Sequence, residues 1–116
     1  MKIIVEPMGA VRQNRSDAWR KRPCVLRYRV YKNIIRLQCK ELDCALQLLF
    51  ELPMPKSWSK KKKKEMLGQP HQQKPDIDNL VKGLLDAVCT DDSYIYKVDA
   101  EKRWAETGAI WVETLI

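Results

Sequence analysis

Two aspartates stand two residues apart, just before a stretch that has the pattern of a helix. Asp76 and Asp78 follow Pro75, which opposes helix at its own position and favours extended backbone before it. If the chain stays extended through Asp78, the two carboxylates point to the same side, because side chains alternate along extended backbone. Carboxylate oxygens suit a hard cation such as Mg²⁺ or Mn²⁺.

The helix that follows is predicted to have an apolar and a polar side. At about 100° per residue, Lys82 and Asp86 fall on the polar side, and Asp78 or Asn79 can cap the first turn. The apolar side comprises Leu80, Val81, Leu84, Leu85 and Val88. Spacing alone leaves two interpretations open. One is a metal site, and the other is a capping Asp78, an Asp86–Lys82 ion pair and a polar turn at residues 91–92.

These residues resemble the core motif of the RusA family of Holliday junction resolvases, and the phage and prophage members most closely. The similarity extends over nearly the whole chain. The matching segments are residues 74–80 with Lys82, 85–87, 91–92, 9–13, 17–19, 22–28, 55–59 and 102–108. The resemblance implies a single domain over residues 1–116. It further implies a structure-selective endodeoxyribonuclease that resolves four-way DNA junctions by paired symmetric nicks.

The resemblance also implies roles for individual side chains. Asp76, Asp78 and Asp92 are expected to be catalytic and to hold one or two Mg²⁺ ions, for which Mn²⁺ is expected to substitute. Lys82 is expected to be catalytic by adding positive charge at the transition state. The resemblance also implies a homodimer, and a two-fold pair would present two equivalent sites to a two-fold junction.

The charge distribution favours a nucleic-acid partner. The formal net charge is +7, with 12 basic and 5 acidic residues in 1–58 and 10 of each in 59–116. A basic surface beside an acidic site suits binding of the DNA backbone and cleavage at one phosphate. The predicted DNA contacts are Arg12, Arg15, Lys60, Lys61, Lys62, Lys63, Lys64 and Lys74. Two alternatives remain open: a basic DNA-binding protein without catalysis, and a nuclease that acts on another branched DNA.

Composition excludes several other classes of protein. A chain of 116 residues can bury one core, and no run of about 18 apolar residues predicts a membrane span. The N-terminus is too short and too charged for a signal peptide, so a cytoplasmic protein is expected, and the family resemblance implies a bacterial cell. The four cysteines lack Cys-x-x-Cys spacing, which argues against a zinc site. His71 lies in a polar linker and is predicted to be a bystander.

The elements that must position these residues predict an α+β fold. The order β-α-β-α-α-β-β suggests one mixed sheet with helices mainly on one face. Strands are predicted at 2–6, 43–52, 94–104 and 109–116, and the last two are expected to pair as a hairpin. Helices are predicted at 24–41, in the lysine stretch after Ser57 or Ser59, and after Asp78 or Asn79.

Periodicity also predicts which side chains are buried. Helix 24–41 is expected to bury Val25, Leu26, Val30, Ile34 and Leu37, with Tyr28 and Tyr31 in core or edge packing. Strand 43–52 is expected to bury Leu46, Leu48, Phe50 and Leu52. Strand 94–104 is expected to place Tyr94, Tyr96, Val98, Ala100 and Trp104 on one face.

Overall fold

A computed structural model describes residues 1–11 and 22–115. Within these ranges the chain forms four strands and three helices. In chain order they are β1 (Lys2–Ile3), α1 (Pro23–Gln38), β2 (Ala45–Pro53), α2 (Lys60–Met66), α3 (Ile77–Val88), β3 (Lys97–Ala105) and β4 (Ala109–Thr114). The predicted α+β class and the predicted order of elements are confirmed. None of the helices in the described ranges is long and apolar enough to cross a membrane.

The four strands form one mixed sheet in the order β1-β4-β2-β3. β2 runs parallel to β3 and antiparallel to β4, which also pairs with β1. The predicted hairpin between the last two strands is therefore wrong, because β2 lies between them. Residues 106–108 cross the end of β2 instead of turning the chain back onto β3. Alternation identifies a strand but does not identify its neighbour in the sheet.

α1 and α3 pack together on one face of this sheet and enclose the core. β2 supplies Leu46, Leu48, Phe50 and Leu52 to the core, as predicted. The remaining core includes Tyr28, Tyr31 and Ile35 of α1, Leu80, Leu84 and Ala87 of α3, and Ile110 and Val112 of β4. The predicted apolar side of α3 is confirmed, since Val81, Leu85 and Val88 also pack partly buried against this cluster.

α1 turns a different side to the core from the predicted one. Its buried residues are Val25, Tyr28, Tyr31 and Ile35, so the prediction that the tyrosines pack in the core is confirmed. Of the predicted apolar set only Val25 is buried, whereas Leu26, Val30, Ile34 and Leu37 are exposed. α1 carries apolar residues on two opposite sides, so helical periodicity fits either orientation. The tyrosines decide the orientation because they offer the larger surface for burial.

β3 is an edge strand, which changes the burial predicted for it. It starts at Lys97, and Tyr94, Tyr96 and Val98 are exposed, while Trp104 near its end is buried. Its C-terminal half is covered by the segment before α3. The Gly68 N–H donates to the Trp104 carbonyl at 2.9 Å, and the His71 N–H donates to the Lys102 carbonyl at 3.0 Å. This pairing brings the linker that precedes the acid motif alongside the sheet.

Candidate active site

The first two aspartates lie at the N-terminus of α3. The helix begins at Ile77, so Asp76 is its N-cap residue and Asp78 lies in its first turn. The condition of extended backbone through Asp78 is therefore not met, and the cap lies at Asp76 instead of at Asp78 or Asn79. The Asp78 carboxylate accepts a hydrogen bond from the Asn79 N–H at 2.9 Å. Asp76 and Asp78 still line one cavity of about 740 Å³, so the helix start brings them together without extended backbone.

Lys74 lies beside Asp76 at the mouth of this cavity. Its ammonium group is 3.2 Å from both carboxylate oxygens of Asp76. The Lys74 side chain is 87% exposed, and an ion pair this exposed contributes little to stability. The ammonium group can therefore leave Asp76 for a phosphate at small cost. Its contact with DNA stays a prediction.

Asp92 belongs to a second group of charges, centred on Lys82. The Lys82 ammonium group is 2.9 Å from the Asp86 carboxylate and 3.7 Å from that of Asp92. The hydrogen bond to Asp86 is the main cause of the raised pKa of Lys82. The Tyr28 hydroxyl donates to the other Asp86 oxygen at 2.9 Å, which fixes Asp86 from the side of α1. The predicted Asp86–Lys82 ion pair is therefore present.

The turn that carries Asp92 is the predicted polar one. The Asp91 carboxylate accepts the backbone N–H of Ser93 at 2.9 Å, a local contact typical of aspartate in turns. This hydrogen bond lowers the pKa of Asp91. The Asp91 carboxylate is thus hydrogen-bonded within the turn, whereas the Asp92 carboxylate contacts Lys82.

The donor set at the start of α3 fits a hard cation in part. No three His, Cys, Asp or Glu side chains in residues 1–11 and 22–115 lie close enough together to hold a metal ion. Asp76 and Asp78 share a cavity, whereas Asp92 contacts Lys82. Mg²⁺ keeps several waters and is commonly bound by one or two carboxylates together with substrate phosphates. Two exposed carboxylates in one cavity meet that requirement, and Asp92 as a third ligand stays a prediction.

Asn79 ties α3 to the chain segment that leads toward the predicted arginine contacts. The Ala10 N–H donates to the Asn79 carbonyl at 3.1 Å, and the Asn79 side-chain amide donates to the Ala10 carbonyl at 3.3 Å. A Cβ at Gly83 would lie 2.9 Å from the Met8 carbonyl oxygen, so glycine permits this close crossing. The predicted DNA contacts Arg12 and Arg15 follow this segment and lie outside the described residues.

Comparison with protein families shows which family the chain belongs to. The family model described as "Endodeoxyribonuclease RusA" matches residues 5–114. The chain belongs to the RusA family. It is therefore an endonuclease, and the family resemblance seen in the acid motif is confirmed. The comparisons with curated proteins and with solved structures give no significant match.

The cavity of Asp76 and Asp78 also contains Lys102, which the sequence analysis did not single out, and His71, which it predicted to be a bystander. Lys102 of β3 reaches the loop before α3, where its ammonium group donates to the carbonyls of Gln73 and Pro75. His71 is buried and its ring packs against Trp104 in a tilted arrangement, with 4.1 Å between ring centroids and 47° between ring planes. Both side chains line the cavity of Asp76 and Asp78. Lys102 could have been identified from the sequence, because it interrupts the alternating apolar positions of β3.

The environment of His71 is less polar than its place in a polar linker suggests, because the side chain is buried. Burial lowers the pKa of His71, and the positive charge of Lys102 lowers it further. Its Nδ1 atom is buried and has no hydrogen-bond partner among the described residues. The neutral imidazole is therefore the favoured form in the folded protein.

The lysine helix α2 lies next to the same part of the sheet. Ser59 caps it by accepting the Lys62 N–H at 3.2 Å, and Gly68 follows its end with a φ of 79°, as predicted. No residue of α2, all of which is described, is buried. The Lys62 ammonium group lies 4.3 Å from the centre of the Trp58 ring, and Trp58 packs on Trp104. This aromatic contact connects the lysines to the strand that carries Lys102.

Proposed function

We propose that this RusA-family chain is a single-domain, Mg²⁺-dependent endonuclease that resolves four-way DNA junctions by paired symmetric nicks. One observation carries the proposal: the carboxylates of Asp76 and Asp78 line one exposed cavity at the start of α3. Lys74 lies at that cavity, and the chain carries a net charge of +7. Membership of the family supports junctions as the substrate.

Asp76 and Asp78 would hold the cation, and Asp92 is proposed as a further ligand. A bound divalent cation supplies Lewis acidity toward a phosphate oxygen and lowers the pKa of a bound water. The protein contributes the carboxylates on a rigid helix start, which limits their movement when DNA arrives. Repulsion between the two carboxylates favours occupation by a cation.

Lys82 is proposed to stabilise negative charge that develops on the phosphate. Asp86 holds its ammonium group, and the Tyr28 hydroxyl in turn holds Asp86. Asp86 would therefore orient Lys82, and the pair would leave part of the ammonium group free, since the Lys82 side chain is 57% exposed. A positive charge fixed before the reaction stabilises a developing negative charge without reorganisation.

Binding of the DNA backbone is assigned to basic side chains around this site. Lys60 to Lys64 and Lys74 are exposed or nearly so, and Arg12 and Arg15 are proposed to add contacts. Contacts between lysine or arginine and phosphate give affinity without sequence preference. Junction selectivity then depends on the shape of the DNA.

A homodimer is proposed because each chain supplies one pair of carboxylates at the start of α3, Asp76 and Asp78, whereas two DNA strands must be cut. The apolar side of α1 formed by Leu26, Val30, Ile34 and Leu37 is exposed, and it is proposed as the pairing surface. Contiguous exposed apolar residues often mark protein contacts. Sedimentation at micromolar concentration tests the pairing. If the protein sediments only as a 13.6 kDa species, both alone and with junction present, the homodimer is contradicted.

Cleavage of a synthetic four-way junction in Mg²⁺ tests the proposed function, with Asp78→Asn as the inactive comparison. A panel of junction, fork, flap and plain duplex separates junction resolution from nuclease activity on other branched DNA. Preferred cutting of the junction supports the proposal. Equal or faster cutting of the flap or fork supports the alternative substrate. Binding without cutting in Mg²⁺ or Mn²⁺ contradicts the catalytic proposal.

A further inference from the structure

Lys102 occupies a position of β3 where an apolar residue is expected. In the parallel register it pairs with Phe50, and it lies between Ala100 and Trp104 on the same face of the strand. Phe50 and Trp104 are buried on the face that the helices cover. A charged group placed on such a face destabilises the fold unless its polar atoms find partners. Its partners therefore indicate why a lysine is present.

The ammonium group of Lys102 finds those partners in the loop that precedes α3. It donates to the Pro75 carbonyl at 2.7 Å and to the Gln73 carbonyl. The Pro75 carbonyl belongs to the planar peptide unit that contains the Asp76 nitrogen. Fixing this carbonyl fixes the orientation of the peptide plane. That orientation, together with the φ of −66° at Asp76, sets the direction in which the Asp76 side chain leaves the backbone.

The rest of the linker is already fixed to β3 by backbone hydrogen bonds. The Trp104 N–H donates to the Gln69 carbonyl at 3.0 Å, and the His71 N–H donates to the Lys102 carbonyl at 3.0 Å. Within the described ranges the last of these bonds is at His71, and the side chain of Lys102 spans the interval to Pro75. Lys102 thus extends the support of the sheet to the residue directly before Asp76.

We propose that Lys102 is a positioning residue for the metal-binding carboxylates. Lys102 holds residues 73–75 against β3. Asp76 is therefore already in the same cavity as Asp78 before a cation binds. This inference rests on the proposed function. Loss of a group that supports a metal ligand typically weakens metal binding or activity by about 10- to 100-fold. Lys102 contributes to the reaction through Asp76 and is not assigned a contact with DNA.

The central test compares Lys102→Met with Lys97→Met. The first variant keeps an unbranched side chain that is one atom shorter, and it removes the donors. The second removes the same charge from an exposed position of the same strand. Titration calorimetry with Mn²⁺ should show about 10- to 100-fold weaker binding for Lys102→Met and wild-type binding for Lys97→Met. Cleavage by Lys102→Met should recover as the Mn²⁺ concentration rises, and Lys102→Arg should restore part of the affinity.

Junction binding without divalent metal separates positioning from DNA contact. Both variants should show the same dependence of affinity on salt. A slope lower by roughly one unit in Lys102→Met alone would instead identify a phosphate contact and overturn the inference. Wild-type Mn²⁺ affinity in Lys102→Met would overturn it as well. If Lys102→Met does not fold, Lys102→Gln provides the same comparison, and unchanged Mn²⁺ affinity in that variant is equally contradictory.

The wild-type protein separates failure of this inference from failure of the proposed function. If the wild type binds Mn²⁺ and cuts junctions while Lys102→Met matches Lys97→Met, only the role of Lys102 is wrong. If the wild type neither binds Mn²⁺ nor cuts any branched DNA, the proposed function is wrong and the positioning role is wrong with it.

Discussion

The ammonium group of Lys82 lies 2.9 Å from the carboxylate of Asp86, one helical turn further along α3. It also lies 3.7 Å from the Asp92 carboxylate. Lys82 follows Asp78 by four residues, so helical spacing allows a contact in either direction. The structure groups Lys82 with the acids at the C-terminal end of α3. Lys82 therefore links Asp92 to the helix whose first turn carries Asp78.

Lys82→Ala is predicted to fold and to bind Mn²⁺ and junction nearly normally, yet to cut far more slowly. An exposed i,i+4 ion pair contributes only about 0.3–0.5 kcal/mol to stability. Loss of a group that stabilises transition-state charge lowers the rate by about 10²–10³-fold. Single-turnover cleavage measures this because it isolates chemistry from product release. Lys97→Ala is the control, and a Lys82→Ala rate within a few-fold of wild type would assign Lys82 a structural role.

Asp76→Asn and Asp78→Asn are each predicted to weaken Mn²⁺ binding while junction binding persists. The substitution keeps the shape of the side chain but removes its charge, which a hard cation requires. Titration calorimetry compares both variants with Asp99→Asn, an exposed aspartate of β3. The same titration on Asp92→Asn tests the third proposed ligand. Unchanged affinity in both Asp76→Asn and Asp78→Asn would show that the metal binds elsewhere.

The exposed lysines of α2 are predicted to supply affinity that does not depend on DNA sequence. Replacement of Lys60, Lys61 and Lys64 by glutamine leaves the contact of Lys62 with Trp58 intact, so α2 should keep its place. The slope of log affinity against log salt should fall by roughly 0.9 for each lysine–phosphate pair that the substitutions remove. Binding to several junction sequences should weaken equally. If the salt dependence keeps the slope of the wild type, these lysines do not contact phosphates and α2 is only a solvated helix.

His71→Phe is predicted to stabilise the protein, and more so at low pH. Phenylalanine keeps a ring against Trp104 and removes the buried Nδ1 atom that lacks a partner among the described residues. Because the pKa of His71 is lowered from 6.5 in the folded protein, the unfolded chain binds a proton first as pH falls. Wild type therefore loses stability from about pH 7 downward, and the variant does not lose this contribution. Thermal unfolding between about pH 8 and 5 measures the difference in stability between the variant and the wild type. A difference that does not change with pH contradicts a lowered pKa of His71.

The elements with one apolar side were predictable from the sequence. β2 buries every second residue from Leu46 to Leu52, and α3 has one apolar side, so burial leaves each a single orientation. The family and the grouping of Asp76 with Asp78 also followed from the motif. These features depend on short-range order, which a sequence records directly.

The features that were missed depend on contacts between distant segments. α1 is apolar on two sides, and only packing against α3 and the sheet selects Tyr28 and Tyr31 over Val30 and Ile34. The position of β2 between β3 and β4 is a property of the whole sheet. The role of Lys102 depends on the backbone carbonyls of residues 73 and 75, which are distant in the chain. Every residue has a backbone carbonyl, so residue types do not show which carbonyl a lysine contacts.

Cleavage of a synthetic four-way junction in Mg²⁺ by wild type and by Asp78→Asn tests the central claim most directly. The assay should use equal protein concentrations at which both bind the junction, so that a difference in cutting reflects chemistry. The wild type is predicted to nick two opposing strands at symmetric positions, and Asp78→Asn to leave the junction intact. Equal cutting by both proteins, or no cutting by the wild type, would contradict a metal-dependent resolvase built on the carboxylates at the start of α3.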